Sequence, residues 1–267
     1  MSQFLKLSSP ATSEFWEIPI LYEDERLLAL DKPPGLPVSP DRRSPDRADL
    51  MGLLHRDLAR GASWAKERRL AYLMNSHRLD SSMSGVLVLA KDKPTLVELA
   101  GQFGSEKPVK IFVALVRGGL PQANCHCDAP LAPHPVRPGY TRVDPKNGKR
   151  ARTEFSAREN FAGYVLLECR PLTERADQIR VHLKHLRFPL VGDDLYGGPP
   201  LMLSSLKPGY RLKPGRTEKP LISRLALHAE QLVIRRPDDG GSIVIQAPWP
   251  KDLTVAIKYL RRFAPAR

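Results

Sequence analysis

The run His77-Arg78-Leu79-Asp80-Ser81-Ser82-Met83-Ser84-Gly85 sets a carboxylate between a cation and a turn of small residues. A carboxylate displayed in this way can serve as a nucleophile or as a general base. The ordinary use of a lone aspartate at such a place is an Asx turn, with Asp80 accepting from the amides of Ser81 and Ser82. A second cluster, Arg175-Ala176-Asp177-Gln178-Ile179-Arg180-Val181-His182, surrounds a carboxylate and an amide with two guanidiniums. An arginine beside a partly desolvated carboxylate favours its ionised form, so Arg180 is the natural counter-ion if the two clusters meet. The ordinary alternative is a surface Arg–Asp pair. Cys125-His126-Cys127 has the residue types of a metal site, but Cys169 stands alone far downstream and no second ligand pair follows. The run therefore reads as a strand or loop of small residues, and no metal is expected.

Both clusters need elements to hold them. Residues 86–90 are continuously apolar and read as a buried strand, which puts Asp80 at the rim of a sheet. Residues 20–22 and 27–30, joined by a charged turn, read as a hairpin, and residues 1–15 before it as an arm. Lys32-Pro33-Pro34-Gly35 stops the second strand, because proline lacks a ladder donor. A charged loop over 41–49 leads to a helix over 50–70 that tolerates Gly61. Asp92-Lys93-Pro94 caps a helix with Leu96, Val97, Leu99, Ala100 and Phe103 as its apolar stripe. Strands follow at 110–116, 153–155 and 164–169, with an irregular excursion over 121–148 and a basic one over 204–220. The chain closes with a strand at 243–245 and a helix burying Leu253, Ala256, Ile257 and Leu260. Strands and helices without regular βαβ alternation predict an α+β fold around one extended, mixed, mainly antiparallel sheet.

Two hundred and sixty-seven residues suffice for a sizeable core. The net charge of +13 and isoelectric point near 9.9 favour a polyanionic partner, nucleic acid before membrane. No stretch is long and apolar enough to span a bilayer, the start of the chain lacks a signal-peptide core, and three cysteines do not make a disulfide framework. A soluble, cytoplasmic protein is expected.

Taken together, several stretches give the chain a family likeness. Leu30-Asp31-Lys32-Pro33-Pro34-Gly35, His77-Arg78-Leu79-Asp80 with Ser84-Gly85, residues 110–118, and Gln178-Ile179-Arg180-Val181-His182-Leu183 occur in order, followed by Pro189, Gly192-Asp193, Tyr196-Gly197 and Leu227-His228-Ala229. In order and spacing they resemble the RluA-like family of RNA pseudouridine synthases. The resemblance implies an isomerase that breaks the N1–C1′ bond of a uridine, turns the base and rejoins it through C5, with no cofactor, nucleotide cofactors included. It implies that Asp80 is catalytic, by attack on C1′ or by removal of the C2′ proton. It implies that Arg180 pairs with that aspartate, that Arg78 fills the space of a flipped nucleotide, and that Phe112, Gln178, Ile179 and Arg180 bind substrate. A uridine in a stem must be extruded before its glycosidic bond is accessible, and a stacking, hydrogen-bonding arginine suits the vacated space. The implied partner is ribosomal or transfer RNA. The implied architecture is an arm over 1–15 and a single catalytic domain over 16–267, monomeric, with no separate N-terminal RNA-binding domain.

The chain departs from the family pattern at three places. Phe112 stands where relatives usually carry a tyrosine, keeping the stacking face without the hydroxyl. Met83 replaces a threonine beside Ser84-Gly85, and Glu174-Arg175-Ala176-Asp177 replaces Gly-Arg-Thr-His. Asp177 adds a negative charge three residues before Arg180 and is placed to compete for it. Two functions follow: an active synthase, and a catalytically impaired RNA-binding relative that keeps the fold.

Overall fold

A computed structural model describes residues 3–40, 47–105, 107–119 and 122–266. Residues 41–46 of the expected loop and residue 121 of the expected excursion lie outside them. In chain order come β1 (Phe4–Ser9), β2 (Glu14–Glu23), β3 (Leu27–Lys32), α1 (Leu50–Ala59), α2 (Ser63–Glu67), β4 (Met74–Asn75) and β5 (Ser84–Ala90). Then follow α3 (Lys93–Gly104), β6 (Val109–Arg117), β7 (Asn124–Cys127), β8 (Leu131–Pro133), β9 (Thr141–Val143), β10 (Thr153–Phe161) and β11 (Tyr164–Pro171). Last are α4 (Gln178–His185), β12 (Leu227–Arg235), β13 (Ser242–Gln246) and α5 (Lys251–Phe263). The chain is α+β, and its hairpins pair antiparallel. Contacts gather it into two compact units, one of residues 1–110 and 229–248, the other of 111–228 and 249–267.

In the first unit the strand order is β1-β2-β3-β5-β12, with β4 on β5 and β13 on β12. The expected arm is instead a strand: β1 pairs with β2 from Phe4↔Pro19 to Ser9↔Glu14. Alternation explains it, since Leu5 and Leu7 are buried and their neighbours Phe4 and Lys6 are exposed. The core beneath β3 and β5 is Leu27, Ala29, Val86, Val88, Leu99, Phe103, Leu232 and Ile234. Each Val, Leu, Ile or Phe side chain among them contributes roughly 1.5–3 kcal/mol by leaving water.

The helix expected over 50–70 is two helices. Gly61 adopts φ +63°, a left-handed conformation that costs a glycine little, and the chain turns there before α2. Helix α3 starts as expected, with Asp92 accepting from the Thr95 amide at 2.7 Å, but its inward face is Thr95, Leu99, Gln102 and Phe103. Val97 and Ala100 lie exposed, because the face follows the i, i+4 rows and not every apolar residue.

In the second unit the strand order is β6-β11-β10-β7, and β8 and β9 form a separate ribbon. Three strands thus occupy the stretch expected to be irregular, Cys125 and Cys127 lying on β7 opposite Phe155 and Thr153. Its core unites Val113, Leu115, Leu166, Val191, Ile222 and the α5 face Leu253, Ala256, Ile257 and Leu260. No helix among the described residues is long and apolar enough to cross a membrane.

Candidate active site

Asp80 lies half-buried on the turn before β5, and the Met83 amide donates to its carbonyl at 3.1 Å to close that turn. Leu79 and Met83 are buried on either side and act as anchors, while Arg78 is exposed. The turn is held from below by Lys32, whose side chain is fully buried at the end of β3. Its ammonium donates to the carbonyls of Pro33 and Leu36, each at 2.8 Å, and of Ser81 at 3.2 Å. The Gly35 amide donates to the same Ser81 oxygen at 2.8 Å. The proline-rich segment after β3 and the aspartate turn are thereby joined through one carbonyl. The register of β3 on β5, Lys32 opposite Gly85, sets this up.

Gly85 is required there. Its φ is +119°, and a Cβ would stand 2.1 Å from the Ala229 carbonyl oxygen on β12. The Ser-Gly pair after the aspartate therefore lets β12 approach the turn's exit, which no larger residue would allow.

His77 is structural. The Val88 amide donates to its Nε2 at 3.0 Å, which places the ring proton on Nδ1, and the ring stacks on Phe103 at 4.6 Å. Burial, with Lys110 adding repulsion, drives its pKa down to about 3, so the imidazole is neutral.

In the second unit, α4 begins at Asp177, which takes the left-handed conformation at φ 54° and offers its side chain to no helix amide. The carboxylate is used elsewhere. Oδ1 accepts from Arg180 at 2.8 Å and Oδ2 from the Tyr196 hydroxyl at 2.8 Å. Arg180 also grips Asp193 in bidentate fashion, Nε at 3.0 Å and the second amino group at 2.7 Å, and stacks 4.9 Å above the Tyr196 ring. The competition expected of Asp177 thus occurs, with Asp193 as the larger claimant. The Tyr196 hydroxyl, buried and beside a carboxylate, has its pKa pushed well up and stays protonated.

The other polar residues of α4 serve the fold. Gln178 and His182 lie one turn apart and both reach Thr153: Gln178 Nε2 donates to Thr153 Oγ1 at 3.0 Å, and His182 Nδ1 is 2.9 Å from that oxygen. The Ala129 carbonyl lies 2.9 Å from His182 Nε2, so Nε2 carries the proton and Thr153 donates to Nδ1. Gln178 Oε1 accepts from Thr173 at 2.9 Å, and Nε2 also donates to the Arg152 carbonyl. Every group in this chain is satisfied when His182 is neutral, and burial lowers its pKa accordingly.

Of the residues singled out in the sequence, Asp80 and Arg78 sit on the first unit's turn. Phe112, Gln178, Ile179 and Arg180 belong to the second, Phe112 buried on β6 opposite Cys169 and Ile179 buried on α4. The side-chain amide of Gln178, a residue expected to bind substrate, is engaged by Thr173, Arg152 and Thr153. Lys32, Asp193 and Tyr196 carry geometry that composition and spacing gave no reason to assign. Their signals were the stretches Asp31-Lys32-Pro33 and Gly192-Asp193 with Tyr196, whose partners are remote in sequence.

The fold is that of the pseudouridine synthases. The chain is similar to human RNA pseudouridylate synthase domain containing 4 with a TM-score of 0.67 at 22% identity, over 91% of this chain and 92% of that one. It is similar to human RNA pseudouridylate synthase domain containing 1 with a TM-score of 0.62 at 23% identity, over 87% and 84%. Residues 26–185 match the family model described as RNA pseudouridylate synthase. Proteins named ribosomal large subunit pseudouridine synthase D extend the likeness. That of Xanthomonas campestris pv. campestris is 36% identical over 91% of this chain and 69% of its own length. That of Escherichia coli is 31% identical over 96% and 75%. The chain belongs to the RluA-like family of RNA pseudouridine synthases, which are isomerases.

Proposed function

We propose that this protein isomerises particular uridines of large-subunit ribosomal RNA to pseudouridine, with Asp80 as the catalytic carboxylate. The N1–C1′ bond breaks, the uracil turns, C5 bonds to C1′, and the C5 proton leaves as N1 gains one, so substrate and product have the same composition. Asp80 acts on C1′ directly or on the C2′ proton. Arg78 takes the place of the extruded nucleotide, Phe112 stacks on the base, and Ile179 and Arg180 bind substrate. The observation that carries this reading is the attachment of the Asp80 turn to Lys32 and Gly35 through the Ser81 carbonyl. A carboxylate on so constrained a turn meets its target with little reorganisation. The RNA class rests on the names of the relatives.

A second reading, an RNA-binding relative with impaired catalysis, is favoured by Asp177, whose hold on Arg180 adds a negative charge where a phosphate would approach. One experiment separates the two. Protein-free large-subunit ribosomal RNA is incubated with the wild type or with Asp80→Asn, and pseudouridine is mapped by carbodiimide-dependent reverse-transcription stops. The synthase reading expects stops with the wild type that the variant lacks. No such stops would leave the binding reading standing.

A further inference from the structure

We infer that a cavity between the β8–β9 ribbon and the last turns of α4 binds one nucleotide of single-stranded RNA, its base against Tyr140 and its flanking phosphates on Arg137 and Lys184. The inference rests on the synthase reading only for the identity of the polymer, and concerns a site apart from Asp80. The cavity measures about 340 Å³, at the lower end for small-molecule sites and in keeping with one nucleotide.

Its lining joins the two features that single-strand binding needs, cations for the backbone and aromatic faces for bases. Arg137 lies 5.8 Å above the Tyr140 ring and Lys184 lies 5.6 Å above the Tyr196 ring. Among the described residues neither cation forms an ion pair, and none of those lining the cavity is a carboxylate; Arg142, which also lines it, is answered by Asp144 at 2.7 Å. His134 accepts the Val136 and Arg137 amides at Nδ1, which leaves its Nε2–H as donor and fixes the bend that carries Arg137.

The site is built in advance. Tyr196 is clamped by its hydroxyl, which accepts from the Thr141 amide at 3.0 Å and donates to Asp177, so that the ring is a fixed wall. Tyr140 meets it edge-on at 6.2 Å, which leaves little side-chain freedom to lose on binding. Because the other side of the Tyr196 environment is Arg180, the cavity adjoins a residue assigned to substrate binding. An acidic peptide would use the cations but not the rings, so the aromatic lining favours RNA.

Filter binding of protein-free large-subunit ribosomal RNA across a range of potassium chloride tests this with Arg137→Ala/Lys184→Ala and with Tyr140→Ala, after circular dichroism shows both folded. Arg137→Lys is a fallback that keeps the charge. The double variant should flatten the log–log salt dependence by about 1.4, roughly 0.7 for each single-strand phosphate lost. Tyr140→Ala should weaken binding roughly tenfold, and ultraviolet crosslinking should join RNA to the Tyr140 peptide. Unchanged slope and affinity in both variants would overturn the inference, as would polyglutamate competing as well as RNA. Failure of the synthase reading shows separately, as the absence of wild-type pseudouridine stops that Asp80→Asn lacks.

Discussion

Lys32 bears a cost that its neighbours explain. An ammonium with no exposed surface is expensive unless its donors are used, and here they are aimed at three carbonyls around the Asp80 turn. Replacing Lys32 with Met preserves bulk and leaves those carbonyls short of a donor. Stability should fall by about 1–3 kcal/mol, measured by urea unfolding, and pseudouridine formation should fall with it as the Asp80 turn loosens. A melt unchanged from wild type would show that the ammonium does not hold the turn. The Asp80 turn was legible in the sequence because its signals are local: a charged residue, small neighbours and a following strand. Lys32 was not, since its role exists only when β3 lies in register on β5 and Ser81 comes within reach.

At the scale of elements, α4 shows why a short helix escapes a reading of periodicity. Residues 178–183 are buried on every side, so no apolar stripe distinguishes one face, and the helix begins at a left-handed Asp177 in place of a serine or threonine cap. What makes it a helix is polar satisfaction: Gln178 and His182 meet Thr153 on one side, and Arg180 meets Asp193 on the other. Thr153→Val tests this, being nearly isosteric while removing the shared hydroxyl. We expect a loss of roughly 1–3 kcal/mol in thermal or urea unfolding, far beyond the cost of one surface bond. The ribbon β8–β9 escaped for a related reason, because strands of three residues among prolines carry too little alternation to be read. By contrast, β5, α3 and α5 were legible, each with its own local signature in a buried run, a cap or an i, i+4 face.

For the whole molecule, each unit contains a histidine that folding keeps neutral, His77 in one and His182 in the other. Both folded pKa values lie below the unfolded value of 6.5. The unfolded chain therefore binds more protons below that pH, and stability is fully present above 6.5 and lost as pH falls toward the folded values. With His77 at about 3, unfolding free energy should drop by about 2 kcal/mol between pH 7 and pH 5 from that residue alone, with His182 adding in the same direction. Urea titrations at the two pH values measure it. His77→Gln, which keeps an acceptor for the Val88 amide, should flatten the slope, and an unaltered slope would assign the acid sensitivity elsewhere. The Ser81 carbonyl, accepting from both Lys32 and Gly35, has one last implication, for motion. With both lone pairs of that oxygen engaged, the peptide plane after Ser81 cannot flip without breaking two bonds at once, so the turn makes a poor hinge. In the proposed reaction the adjustment that admits a nucleotide then falls to the exposed Arg78 side chain, which can swing on the nanosecond scale while the Asp80 carboxylate keeps its place.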